Sequence, residues 1–328
     1  MYNLHPTNIT FGVTNQCTAA CTNCSGAFNP NPKKLQFLTA EQMIARIDEA
    51  LSLGWELPDG ICFTGGEALI RRDDVFKTAK YARSKGIYNL SLMSNGSWGK
   101  NFKYAKNLAA KIKNSGIGDV CFSTGFDHQK FVDEKSIVNA VHACKMARIY
   151  TQIDCETDIN NIVYQNLITN KKLKGTIIDK IEWITWKTKE IRNNEPKLID
   201  ISRQAGCSFL FSTCYVNFEN HVMPCCGQFN NFMSKLDLGI NLENWYDRNW
   251  LHIWLSVDGA YLLWSLFNKT GTYPYHQCAA CLAIQSIPEH YQAVHEAWPQ
   301  HRDSVIYRYN YMCSLLQSTD KLKKEGKL

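Results

Sequence analysis

Three cysteines stand close together at Cys17-x3-Cys21-x2-Cys24 in a chain of 328 residues. Thiolates are the preferred protein ligands of iron–sulfur clusters, and three at this spacing can wrap one face of a cubane. Three protein ligands leave the fourth iron open to a ligand that is not protein. A structural zinc site asks instead for a fourth cysteine or histidine nearby. None follows locally, although His5 lies upstream. The chain holds 14 cysteines and opens Met-Tyr-Asn-Leu-His-Pro, without the basic and apolar stretches of a signal peptide. Persistent disulfides are therefore not expected, and clustered cysteines point to metal or redox chemistry.

A second constellation comprises Cys207, Cys214, Cys225, Cys226, Cys278 and Cys281. Cys278-x2-Cys281 has the spacing of a metal-binding pair, and Cys207 with Cys225 brackets a segment that reads as a hairpin. Cys207, Cys225, Cys278 and Cys281 make a chemically sensible four-thiolate cluster site, and zinc fits the same residues. Neighbouring cysteines rarely both ligate one cubane, so one of Cys225 and Cys226 is expected to be free. A thiol beside a cluster and facing substrate is a competent hydrogen-atom donor to a carbon radical; the plainer alternative is a buried, inert cysteine. Cys214 reads either as an alternative ligand or as a packed thiol. Cys62, Cys121, Cys144 and Cys155 are isolated in apolar or periodic stretches, and these with Cys313 read as small core residues.

The elements that must position these thiols follow from periodicity. Between Asn8 and about Thr185, β-rich runs (9–14, 60–64, 89–94, 119–124, 150–156 and 180–185) alternate with amphipathic stretches near 39–53, 73–85, 102–114, 134–147 and 160–171. Thr39 with Gln42 forms a capping-box pattern, and Asp73 is a candidate start for the second helix. Such alternation implies an α/β fold with a parallel sheet and right-handed crossovers. Six units are too few for a closed eight-stranded barrel, so the expectation is an open, partial (β/α)6 barrel over residues 1–196. In parallel barrels chemistry gathers at the C-terminal ends of the strands. Residues 197–328 lose the alternation and form a smaller C-terminal extension. There 208–211, 215–218 and 221–223 read as short strands turning at Glu219-Asn220, and 243–268 reads as a buried helix.

Composition is ordinary for a globular protein, with 45% hydrophobic and 20% charged residues, which excludes a largely disordered chain. The formal net charge of +6 owes four positive charges to the tail residues Lys321, Lys323, Lys324 and Lys327, expected to form a solvated, frayed end. No Arg-rich stripe argues for a nucleic-acid partner. No run approaches the ~18 apolar residues of a membrane span. A cytoplasmic location is expected.

The N-terminal triplet, in the loop after the first predicted strand, resembles the radical S-adenosylmethionine (SAM) superfamily. Thr64-Gly65-Gly66-Glu67 ends the second strand, similar to the family's GGE motif, whose backbone and acid hold the amino group of the methionine moiety. Ser94-Asn95-Gly96 ends the third strand and resembles the family's segment near SAM, and Asp127 after the fourth matches an acidic or polar SAM-contacting position. Asn23 stands where many members carry an aromatic residue. The resemblance implies a [4Fe-4S] cluster on Cys17, Cys21 and Cys24 with SAM on its open iron, and reductive cleavage of SAM to a 5′-deoxyadenosyl radical. The protein's share is then positioning and the exclusion of water.

With that core upstream, the C-terminal cysteines resemble an abbreviated SPASM/twitch extension, implying a second, auxiliary [4Fe-4S] cluster on Cys207, Cys225, Cys278 and Cys281. The opening Met-Tyr-Asn, Phe63–Glu67, Met93–Trp98, Phe126-Asp127, Phe131-Val132, Met223–Cys226 and Cys278–Cys281 are similar in order and spacing to YydG-type peptidyl epimerases. These convert L- to D-residues in ribosomally made peptides by removing the Cα hydrogen and returning one from a cysteine on the opposite face. Carried over, Cys226 is the donor and Cys225 the cluster ligand; the implied partners are a peptide substrate and an electron donor such as flavodoxin or ferredoxin. Residues 208–216 lack the acid that those epimerases carry there, so thioether or carbon–carbon bond formation on a peptide stays open. A different class, a binding module with structural zinc, stands as the competing expectation. His128, next to Asp127, reads as a solvated loop residue, with a place in the active site as the sharper alternative. Trp183 and Trp186 read as packing residues or the lining of a peptide groove, and Trp245, Trp250 and Trp254 as core or a partner-helix surface.

Overall fold

β-Branched and aromatic runs supply the strands, and helices with one apolar face cover them. The computed structural model describes residues 4–22, 24, 26–157, 161–182, 206–225, 235–267 and 277–326. Strands β1 (Asn8–Gly12), β2 (Gly60–Thr64), β3 (Leu90–Ser94), β4 (Asp119–Gly125), β5 (Tyr150–Thr157) and β6 (Ile177–Glu182) alternate with helices α1 (Ala40–Ser52), α2 (Arg72–Ser84), α3 (Phe102–Ser115), α4 (Glu134–Met146) and α5 (Ile162–Thr169). Each strand pairs in parallel with the next, setting Ile9 beside Ile61, Phe63 beside Leu92, Leu92 beside Val120 and Phe122 beside Ile153. These apolar rows are fully or almost fully buried, as expected of a parallel sheet covered by crossover helices. These six strands run β6-β5-β4-β3-β2-β1 in a sheet that does not close, and two short strands, β7 (Thr213–Val216) and β8 (Val222–Met223), follow later in the chain. The expected open, partial barrel is the observed architecture.

Local chemistry explains most boundaries. Thr39 caps α1 through a complete capping box, and Ala40, Met43, Ile47 and Ala50 form its buried stripe. The second helix starts at Arg72, so Asp73 sits in its first turn rather than capping it. The sixth strand begins earlier than the sequence pattern proposed, because Ile177 and Ile178 pair with Gln152 and Ile153.

Cα packing divides the chain into two compact units, Thr7–Trp183 with Tyr215–His221, and Met1–Pro6 with Ile184–Cys214 and Val222–Leu328. The expected boundary at 196/197 lies outside the described residues. In the second unit 208–211 is not a strand. Phe209–Ser212 forms one helical turn, α6, with Leu210 and Phe211 buried, and an apolar run this short has no periodicity to separate helix from strand. The turn between β7 and β8 falls as expected. Asn217 Oδ1 accepts from Glu219 N and His221 N, and Asn220 adopts φ 66°.

The helical core of this unit is α7 (Trp250–Phe267), α8 (Gln277–Ser286) and α9 (Pro288–Lys324). The single helix expected over 243–268 is instead a 3-10 turn at Leu242–Tyr246 followed by α7, which breaks at Gly259 (φ 73°). Trp245 and Trp254 are core, whereas Trp250 is only half-buried and stacks near Trp298. Arg308 of α9 forks onto Asp258 of α7 at 2.5 and 3.0 Å. Of the tail expected to fray, Lys321, Lys323 and Lys324 belong to α9, Gly326 follows in the left-handed region at φ 65°, and Lys327 lies outside the described residues. Among the described residues no helix is long and apolar enough to cross a membrane.

Candidate functional site

Beyond β1 the chain turns back on itself to present the cysteines. Thr14 and Gln16 form isolated bridges with Phe37 and Asn29, and Cys17 N donates to Asn29 O at 3.0 Å. Cys24 N donates to Cys21 O (3.3 Å), and Ala27 N to Cys24 O (3.1 Å), which curls the loop around its thiols. Cys17 is buried, and Cys21 and Cys24 are half-buried. Burial pushes the Cys17 thiol up to about 11 and the Cys21 thiol up to about 12, with Asp127 the next contributor at Cys21. Cys24 moves in the same direction for the same first cause. The charges facing these thiols include the carboxylates of Glu67, Asp127 and Glu156, so only a strongly cationic centre would hold them as thiolates. A purely soft donor set suits a cluster. His5 is hydrogen-bonded to Tyr246 (2.7 Å) within the other unit.

The Gly-Gly segment after β2 lies directly on this loop. A Cβ on Gly65, which has φ 125°, would sit 2.8 Å from Thr14 O, and one on Gly66 would sit 2.1 Å from Gln16 O. Gly66 N donates to Thr14 O (2.8 Å) and Glu67 N to Gln16 O (2.9 Å). The Glu67 carboxylate is buried and accepts from Leu69 N (3.3 Å), Asn95 N (2.9 Å) and the Ser94 hydroxyl (3.0 and 3.1 Å). Desolvation nevertheless pushes its pKa up to about 7. Ser94 Oγ accepts in turn from Gly96 N and Trp98 Nε1. Asn95 Nδ2 donates to Cys17 Sγ (3.4 Å) and Thr18 Oγ1 (2.9 Å). Glu67, Thr18, Ser97 and Trp98 border a cavity of about 650 Å³ that Arg72 and Tyr104 also line.

Two further carboxylates stand at and just beyond the ends of β5 and β4. Asp127 is fully buried with Lys130 Nζ 3.0 Å from its Oδ1. Glu156 Oε2 lies 3.3 Å from His128 Nδ1, without hydrogen-bond geometry. His128 is thus half-buried beside an acid, not the solvated loop residue expected from its place after a strand. Glu156 is the residue that sequence reasoning passed over, and its signal was an acid at the C-terminal end of a parallel strand.

In the C-terminal unit Cys207, Cys225, Cys278 and Cys281 line one small cavity together with Leu210, Leu236 and other apolar side chains. Gly206 brings Cys207 against α7, where a Cβ would sit 1.9 Å from Ser256 O, and Cys207 N donates to Leu255 O (3.2 Å). Cys278 and Cys281 lie one turn apart on α8. Burial pushes Cys207 up to about 11, Cys278 up to about 12 and Cys281 well up. Gln285 Nε2 donates to Cys281 Sγ (3.3 Å), while its Oε1 accepts from Lys235 N (3.1 Å). Among the described residues no group of His, Cys, Asp or Glu converges closely enough for a single metal ion. Cys214 is fully buried on β7. Cys62 and Cys121 are half-buried, and Cys144, Cys155 and Cys313 are buried as expected. Cys226, Asn23, Trp183, Trp186 and residues 1–3 lie outside the described residues.

Residues 12–128, from the end of β1 to the turn after β4, match the Radical SAM superfamily. The GTP 3′,8-cyclase of Haemophilus influenzae strain 86-028NP is 30% identical over 109 residues, 33% of this chain and 30% of the relative. That of strain PittEE is 30% identical over 98 residues, 30% of this chain and 27% of its own. The chain therefore spans under a third of the length of these curated relatives. The structure of polyhistidine-tagged anSMEcpe with bound AdoMet superposes with TM-score 0.54 at 14% identity, covering 93% of this chain and 96% of that one. Native anSMEcpe with bound AdoMet and Cp18Cys peptide gives TM-score 0.52 at 13% identity, covering 93% and 99%. At such identities the likeness is one of fold. The cysteine loop, the Gly65-Gly66-Glu67 turn and the Ser94-Asn95 strand end all fall inside the stretch that matches the Radical SAM superfamily.

Proposed function

We propose that this chain is a radical SAM enzyme that epimerises L- to D-residues in a ribosomally made peptide. The observation carrying the first half is the stacking of three strand ends. Gly65 and Gly66 lie on the cysteine loop, Glu67 presents a buried carboxylate beside it, and Asn95 bonds both Glu67 and Cys17. On this reading Cys17, Cys21 and Cys24 hold the [4Fe-4S] cluster, Glu67 receives the ammonium of SAM, and Ser94, Asn95 and Asp127 complete its pocket. When bound, cluster and SAM supply the 5′-deoxyadenosyl radical that takes a hydrogen atom from substrate.

The second half rests on the C-terminal thiols. Cys207, Cys225, Cys278 and Cys281 surround one cavity, and a cubane is wider than a single ion, so its ligands stand farther apart. With Cys225 engaged there, Cys226 is the adjacent thiol that returns hydrogen to the Cα radical. One electron and one proton then restore its thiol, the electron drawn from a flavodoxin or ferredoxin; Cys207, Cys225, Cys278 and Cys281 would hold an auxiliary cluster that would supply a relay for it. Peptide as substrate is in keeping with the peptide held by a protein of the same fold.

Incubation with peptide, SAM and reductant in deuterated water is expected to place one deuterium at Cα with inverted configuration. Cys226→Ala is expected to keep 5′-deoxyadenosine formation and lose the D-residue. A product two hydrogens lighter would assign peptide crosslinking instead. The curated relatives favour a second reading, cyclisation of a nucleotide, and consumption of GTP in place of peptide would establish it.

A further inference from the structure

We infer that Asn95 is a positioning residue that raises the reduction potential of the N-terminal cluster through an N–H···S bond to Cys17. The inference rests on the radical SAM reading of the cysteine loop and concerns an amide that reading assigns to the SAM pocket. Asn95 is buried, with 6% of its surface exposed, at the end of β3. Its Oδ1 accepts from Ser97 N at 3.0 Å. That bond fixes the amide, because a flipped side chain would turn its NH2 toward the Ser97 N–H, donor against donor. Nδ2 is therefore directed at Cys17 Sγ (3.4 Å) and Thr18 Oγ1 (2.9 Å). Thr18 can accept, since its own hydroxyl donates to Ser97 Oγ at 2.9 Å. Ala19 N supplies a second donor to the same sulfur at 3.4 Å.

Donors to a ligand sulfur favour the state in which that sulfur carries more negative charge, which is the reduced cluster. Asn95 presents such a donor at one ligand, from a side chain held on three sides.

The test is an anaerobic titration followed by electron paramagnetic resonance of the full chain reconstituted with iron and sulfide, reading the reduced signal that changes when SAM is added. Iron per chain is measured in parallel. Asn95→Ala is expected to load iron like the wild type and to show a more negative midpoint potential. Asn95→Asp, which keeps the Oδ1 acceptor and exchanges the donor for a carboxylate, is expected to shift further the same way. Thr18→Val removes only the amide's other partner and is expected to leave the potential unchanged. A wild-type midpoint in Asn95→Ala, or an equal shift in Thr18→Val, overturns the inference while leaving the radical SAM reading intact. If Asn95→Ala fails to hold iron, Asn95→Asp decides, and a potential at or above wild type there overturns it. Wild-type protein without a SAM-responsive signal would instead remove the reading beneath it.

Discussion

A methyl group on Gly66 would lie 2.1 Å from the carbonyl oxygen of Gln16, so the backbone after β2 and the cysteine loop leave no room for a side chain between them. The carbonyl cannot yield easily, because Glu67 N donates to it at 2.9 Å and Cys17 follows directly. Gly66→Ala is expected to displace the loop and cost the N-terminal cluster, about four irons per chain. The fold should persist, with circular dichroism close to wild type. Full iron content in this variant would show that the close approach does not set the cysteine geometry.

Glu67 gives the pH dependence. Burial raises its pKa to about 7, so the ligand-free protein holds a neutral carboxyl below that value. An ammonium ligand needs the carboxylate, and affinity for SAM is expected to rise between about pH 6 and 7.5, by up to about tenfold per unit below the pKa. The sign for stability is opposite. A folded-state value above the usual 4.5 means that the folded protein keeps a proton the unfolded chain has lost, so this group's contribution falls as pH rises from 4.5 to about 7. Glu67→Gln should bind SAM weakly, with little pH dependence, and should lose less thermal stability than wild type between about pH 5 and 8. Calorimetric titration and melting curves measure both.

The C-terminal thiols are tested by Cys278→Ser with Cys281→Ser, which removes two of the four thiols around their cavity. About four irons per chain should be lost, while cleavage of SAM to 5′-deoxyadenosine continues and epimerised product disappears. Undiminished iron would argue against an auxiliary cluster on these residues.

A control distant from the chemistry is Thr39, whose hydroxyl accepts from Gln42 N at 3.3 Å while Gln42 Oε1 accepts from Thr39 N at 2.9 Å. Thr39→Ala is expected to cost about 1 kcal/mol in denaturant unfolding and to leave SAM binding unchanged.

The parallel core was legible in the sequence because its strands are β-branched runs at regular separation and its helices carry caps and single apolar faces. Thr39 and the run Gly60–Thr64 needed no tertiary information. The cysteine and Gly-Gly-Glu turns were legible as spacing, but their contact was not, since nothing local brings Gly66 to Gln16 or Asn95 to Cys17. Glu156 went unread because an acid ending a strand acquires meaning only once the fold sets it beside His128. The run 208–211 was misread because four apolar residues carry no period, and Leu210 is drawn into one turn of helix by the core it fills. Helix α9 went unread because only the charge of the tail lysines was weighed, and α9 continues to Lys324.

The central claim is that Cys17, Cys21 and Cys24 hold a cluster that cleaves SAM. Anaerobically reconstituted protein, reduced with dithionite in the presence of SAM, is to be assayed by chromatography for 5′-deoxyadenosine and methionine. The account predicts both products in equal amounts, lost when any of the three cysteines is changed to alanine. Iron-free protein, or intact SAM after reduction of an iron-loaded sample, would contradict it.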